Sequence, residues 1–178
     1  MRKIILYTAS SLDDFIARKN GAIDWLENPE VIPGGEDFGY GAFYNSIDTT
    51  LMGNNTFRQV VGFGGPFPYQ DKKNFVFSKN KRTSGHEHAD FITGDPALFC
   101  REIKAAEGKD IWLVGGGEIN TLLMENRLID KLIITKIPIP LGSGIPLFHD
   151  ADWKSKFQTV STRVYEKGVV QLTMEPVQ

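Results

Sequence analysis

The 178 residues include a single cysteine, Cys100, so no intramolecular disulfide can form. That usage fits a reducing compartment, and a cytoplasmic location is expected. No apolar run approaches the length of a membrane span. The basic start Met1-Arg2-Lys3 leads into an apolar run that ends at Tyr7-Thr8, too short for a secretory signal. Strong charge of either sign is also missing: a net charge of −2 offers no electrostatic reason to bind nucleic acid or an anionic membrane. Metal ligands are scarce. His86 and His88 flank Glu87 with no further His or Cys nearby, and His149 reads as a surface residue beside Asp150, so no metal is expected. Ser143, in Leu141-Gly142-Ser143-Gly144, lacks the first glycine of a nucleophile elbow, which argues against a serine hydrolase.

Glycine, by contrast, is placed with purpose. Asp110-Ile111-Trp112-Leu113-Val114 has the pattern of a buried strand, Gly115-Gly116-Gly117 stops it, and Glu118-Ile119-Asn120-Thr121-Leu122-Leu123 carries helical apolar spacing. A strand, glycine turn and helix in this order aim free backbone N–H groups and the positive end of a helix dipole at one spot. The fitting guest is a phosphate or pyrophosphate. The usual dinucleotide fingerprint is not met, because Asn120 stands in place of its third glycine, and no P-loop is present.

The same grammar recurs earlier. Thr49-Thr50-Leu51-Met52 reads as a strand closed by Gly53, and Asn54-Asn55-Thr56-Phe57 as the start of a helix with asparagine as its cap. Further strands are read at residues 3–9, 74–77, 91–93 and 131–137, with a helix from Asp95-Pro96 to about Ala106. Residues 157–165 and 169–174 form a terminal hairpin around Glu166-Lys167-Gly168. Two loops rich in glycine and aromatics, 33–41 and 62–69, are long enough to be functional. Residues 1–178 are therefore read as one α/β domain, a mostly parallel central sheet between helices with an antiparallel C-terminal hairpin.

In such sheets ligands sit at the carboxyl ends of the strands. Gly53 to Thr56, Ser78 to Arg82 and Gly115 to Ile119 would meet there, two helix N-termini for a pyrophosphate and a basic loop for a further phosphate. Lys79, Lys81 and Arg82 are the candidates for that phosphate, with a solvated turn as the alternative. Acid chemistry falls to carboxylates near apolar surface, whose pKa burial raises. Asp24 beside Trp25 and Asp13 after the first strand qualify, the alternatives being a cap and a turn closure. Asp14 is read as a candidate for the left-handed region, and Cys100 as core packing.

These pieces, in this order and over nearly the whole chain, resemble the dihydrofolate reductase-like superfamily, most closely its bacterial branch related to the reductase domain of riboflavin biosynthesis. The marks are Ser11-Leu12-Asp13-Asp14-Phe15-Ile16-Ala17, Ile23-Asp24-Trp25-Leu26, Met52-Gly53-Asn54-Asn55-Thr56-Phe57, Phe77-Ser78-Lys79 and Val114-Gly115-Gly116-Gly117-Glu118. The resemblance implies a three-layer fold, with NADPH lying across the strand ends and giving up a hydride. It implies that Ala9 and Ile16 border the nicotinamide, that Gly53, Asn54, Asn55 and Thr56 hold the pyrophosphate with Gly115, Gly116, Gly117, Glu118 and Ile119, and that Ser78 and Lys79 face the adenosine phosphate. It also implies a cis peptide at Gly115-Gly116, and a homodimer. Asp14 departs from the family's glycine, a change expected to act on the substrate loop, and Asn54 departs from its basic residue, which leaves the choice between NADPH and NADH open. The expected function is an NADPH-dependent reduction of a small heterocycle, pterin or pyrimidine-like, with Asp24 or Asp13 as proton source. The alternatives are a nucleotide-binding module or sensor without turnover, and a structural dimer without a ligand.

Overall fold

The computed structural model describes residues 1–32, 34–79, 85–153 and 155–177. Its centre is one eight-stranded sheet in the order β5-β4-β3-β6-β1-β7-β10-β9. The strands are β1 (Ile4–Ser10), β3 (Ile47–Gly53), β4 (Lys73–Phe77), β5 (Asp90–Ile92), β6 (Asp110–Gly115), β7 (Lys131–Lys136), β9 (Phe157–Val164) and β10 (Val170–Pro176). The six strands from β5 to β7 run parallel, and β10 and β9 close the edge antiparallel.

Alternation along the central strands divides the core. Ile4 and Leu6 of β1, Leu51 of β3 and Ile111 and Leu113 of β6 face one side, against Ala97 and Cys100 of α3 (Pro96–Ala105) and Ile119 and Leu123 of α4 (Gly117–Glu125). Ile5 and Trp112 face the other, with Phe43 of α1 (Tyr40–Ser46), while Met52 and Val76 meet Phe57 and Val60 of α2 (Asn54–Gly62). Helices on both faces make the three layers expected. Cys100 is fully buried, and burial pushes its thiol up to about 12, so it packs as a small apolar group.

Three local readings need adjustment. β1 spans Ile4–Ser10, one residue beyond the segment read from sequence. The residue capping α2 is Gly53, and no side chain among the described residues caps that helix, so Asn54 lies inside it. A second, two-stranded sheet pairs β2 (Phe15–Ala17) with β8 (Ile145–Pro146), and at two and three residues its strands are too short for a periodic signal. No described helix is long and apolar enough to cross a membrane.

Asp95 caps α3 as read, its carboxylate accepting from the N–H groups of Ala97 at 2.8 Å and Leu98 at 3.5 Å. Replacing it by alanine should cost about 1 kcal/mol of stability, the usual loss for an N-cap, seen as a lower urea midpoint at unchanged slope.

Candidate functional site

The strand ends that carry glycine converge. β6 runs into a turn with a cis peptide between Gly115 and Gly116, and α4 starts at Gly117. β3 runs into α2 in the same way. A Cβ on Gly53 would lie 4.0 Å from the Gly115 carbonyl oxygen, and one on Gly116 would lie 3.2 Å from Thr56 Oγ1 and 3.8 Å from Ile16 Cδ1. The N-termini of α2 and α4 thus face one narrow gap with Ile16 at its edge. A side chain at Gly116 would press into that gap.

The remaining expected residues arrange around it. Asn54 and Thr56 are half-buried and Asn55 is exposed at the first turn of α2. Ile119 is buried in the core, so only its backbone N–H is free to serve a ligand. Ser78 is buried just past β4, its N–H donating to the Ile92 carbonyl. Lys79 projects beyond it, and its Nζ reaches Glu118 Oε2 at 3.3 Å, which ties the β4 loop to the first turn of α4. Lys81 and Arg82 lie outside the described residues. Ala9 sits half-buried at the end of β1, beside Trp25 and in register with Thr135 of β7.

The two aspartates differ from expectation, and the correction is electrostatic. Both are exposed. Asp24 receives Arg18 in a two-pronged pair, 2.7 and 2.9 Å, and that guanidinium holds its carboxyl below the usual range. Asp13 accepts from the Ser11 hydroxyl at 2.6 Å and from the N–H groups of Leu141 and Gly142 at 2.9 and 2.6 Å. These donors, the Ser11 hydroxyl foremost, hold Asp13 down at about 2. Neither carboxyl is raised, and both stay ionised at neutral pH. Asp14 adopts φ of 65° and pairs with Lys136 at 2.6 Å. Together with the β2–β8 pairing, Asp13 and Asp14 tie the loop that carries Ile16 to residues 136–146.

Several residues were missed from the sequence. Tyr7 donates to the Phe38 carbonyl at 3.0 Å, Gln171 Nε2 donates to that same carbonyl at 2.9 Å and to Thr135 Oγ1 at 3.0 Å. Gln171 and Thr135 are buried and Tyr7 half-buried, and desolvation pushes the Tyr7 hydroxyl up to about 12. Trp25 Nε1 is buried and has no hydrogen-bond partner among the described residues. The two aromatic loops do meet: Tyr40 and Tyr69 stand edge-on to Trp112 at 5.7 and 5.1 Å, and Phe43 stacks on Tyr7 at 4.4 Å. His149 Nε2 would lie 3.1 Å from a Cβ on Gly117, beside the start of α4. Cross-strand register alone relates Ala9, Thr135 and Gln171, and without the strand order it cannot be read. His86 and His88 pack on Phe67, and among the described residues no three His, Cys, Asp or Glu side chains are grouped to hold a metal ion.

The family described as the RibD C-terminal domain matches residues 2–171. The chain belongs to that family. It is 40% identical to the uncharacterized protein YwjB of Bacillus subtilis over 168 residues, covering 94% of this chain and 95% of YwjB. It is similar to a putative riboflavin biosynthesis protein from Shewanella sp. PV-4, with a TM-score of 0.87, 29% identity and 99% of each chain covered. A dihydrofolate reductase from Enterococcus faecalis, complexed with NADP(H), shares the fold at a TM-score of 0.67 and 17% identity, over 99% of this chain and 97% of that one. The fold is thus dihydrofolate reductase-like.

Asp13 supplies a pH test of the loop tether. Its folded pKa lies below the ordinary 3.8, so its contribution is complete above about pH 4 and is lost as pH falls toward about 2. The urea midpoint of the wild type should fall through that window by more than that of Asp13→Asn, which lacks the titrating group.

Proposed function

We propose that this protein is an NAD(P)H-dependent reductase of a small planar heterocycle of the pterin or pyrimidine kind. The reading is carried by one observation, the gap between two helix N-termini that a Cβ on Gly116 would close against Thr56 and Ile16. A diphosphate needs such a place: backbone N–H groups from two directions and no side chain between them. Gly53, Asn54, Asn55 and Thr56 would bind it from one side, and Gly115, Gly116, Gly117, Glu118 and Ile119 from the other. Ser78 and Lys79 would meet the adenosine end, and Ala9 and Ile16 would border the nicotinamide. The cofactor supplies a hydride.

The chain's own groups then define the rest of the reaction. Tyr7, Tyr40, Tyr69 and Trp112 wall the substrate beside Ala9 and exclude water from one of its faces. Asp24 and Asp13, ionised and held by donors, serve in this proposal as loop anchors, so the proton reaches the substrate from water. The Tyr7 hydroxyl keeps its proton across the neutral range, donates it to the Phe38 carbonyl and orients the substrate as a hydrogen-bond acceptor. A cytoplasmic homodimer completes the proposal. β9 is a sheet edge whose Val160 and Val164 are 50% and 75% exposed, an edge that a second copy would cover.

Titration with NADPH and NADH, followed by nicotinamide fluorescence, tests the cleft. Saturable binding is expected, and no binding of either would refute the reading. A protein that binds NADPH but oxidises it with no pterin, flavin precursor or pyrimidine would be a nucleotide-binding module of the same fold. With a turnover substrate in hand, Asp24→Ala should lower the rate by far less than the roughly 10²–10⁴-fold that a general acid contributes. Gel filtration should give a dimer mass, and Val164→Lys should shift it toward the monomer.

A further inference from the structure

The end of β4 and the first turn of α4 present opposite charges to the same spot. Lys79 Nζ and Glu118 Oε2 lie 3.3 Å apart, and their side chains are 96% and 72% exposed. An exposed pair of this kind is weak, so either partner is free to exchange for a ligand. Its position matters more than its strength. Ser78 is fixed by its N–H to the Ile92 carbonyl, and Glu118 follows the buried Gly117, so the backbone on both sides of the pair is held.

NADPH and NADH differ at one place, the adenosine ribose, where the first carries a phosphate and the second a hydroxyl. A carboxylate at that place accepts from the hydroxyl and repels the phosphate, whereas a cation favours the phosphate. This chain sets both within hydrogen-bond distance of each other. It also places neutral Asn54 at the start of α2, so that turn adds no charge of its own.

We infer that Glu118 is a specificity-determining residue for the cofactor. Its carboxylate competes with a 2′-phosphate for Lys79 and repels that phosphate, so the cleft takes NADPH and NADH with similar affinity. The inference rests on the proposed cofactor reading of the cleft. Removing one charge at about 6 Å from a phosphate dianion in water is worth about tenfold in binding.

The experiment titrates NADPH, NADH and 2′,5′-ADP into wild type, Glu118→Gln and Glu125→Gln at low and high salt. Glu125 lies exposed at the far end of α4 and controls for net charge. The expected result has three parts. Wild type binds the two cofactors within about tenfold of each other. Glu118→Gln tightens NADPH and 2′,5′-ADP by about five- to tenfold and leaves NADH unchanged or slightly weaker, a gain that shrinks with salt. Glu125→Gln moves neither. Binding of both cofactors with an unmoved NADPH-to-NADH ratio in Glu118→Gln overturns this inference and leaves the cleft reading standing. Equal gains in the Glu118 and Glu125 variants overturn it as well, since they mark a net-charge effect. Binding of neither cofactor by the wild type removes both.

Discussion

A Cβ on Gly117 would collide with the Pro146 carbonyl, and one on Gly116 would press on Thr56 Oγ1. Close approach of backbone to its neighbours at this turn governs the architecture around it. The segment carrying Pro146 is seated on α4: Leu147 accepts from Asn120 Nδ2 at 3.0 Å, and the His149 N–H donates to Thr121 Oγ1 at 2.8 Å. Pro146 in turn pairs with Phe15, in the loop that bears Ile16. One crowded glycine turn therefore fixes the start of α4, the width of the gap to α2 and the course of the loop at its edge. Close-packed interiors transmit a misfit instead of absorbing it, so bulk at any of these positions would be felt at the others.

The distribution of charge follows a separate logic. The carboxylates nearest the strand ends are already engaged, Asp13 with backbone N–H groups, Asp14 with Lys136 and Asp24 with Arg18. What borders Ala9 is neutral: Tyr7, Thr135 and Gln171, joined through the Phe38 carbonyl. A buried neutral network satisfies its members without the desolvation cost of an ion. It also directs, because Gln171 and Tyr7 both hold the Phe38 carbonyl, one residue before the Gly39 that caps α1, so the aromatic wall is anchored to the sheet.

Much of this was legible in the sequence. The alternation of strands with helices, the terminal hairpin and the Asp95 cap follow from local spacing, which depends on residues close in the chain. The two glycine turns were legible for the same reason, and so was Asp14 in the left-handed region. The short β2–β8 pair was not, since its strands lie about 130 residues apart and carry no period. Nor was the ionisation of Asp24 and Asp13, because a neighbouring tryptophan in sequence says nothing of the arginine or the N–H groups that reach them in space. Gln171 stood hidden in an alternating strand, where a polar residue ordinarily faces water.

The Lys79–Glu118 pair shows why the adenosine end of the proposed cleft is harder to read than its proposed cradle. Backbone N–H groups at a helix start serve any phosphate, so the glycine pattern predicts a diphosphate site whatever lies beside it. Discrimination between two dinucleotides depends on side chains at the rim, where charges are exposed, screened and inexpensive to exchange. Asn54 and Glu118 both lie on helix first turns next to cradle glycines, and both depart from a simple cationic phosphate grip. A diphosphate cradle, where one is proposed, is therefore easier to read from sequence than a preference between two dinucleotides.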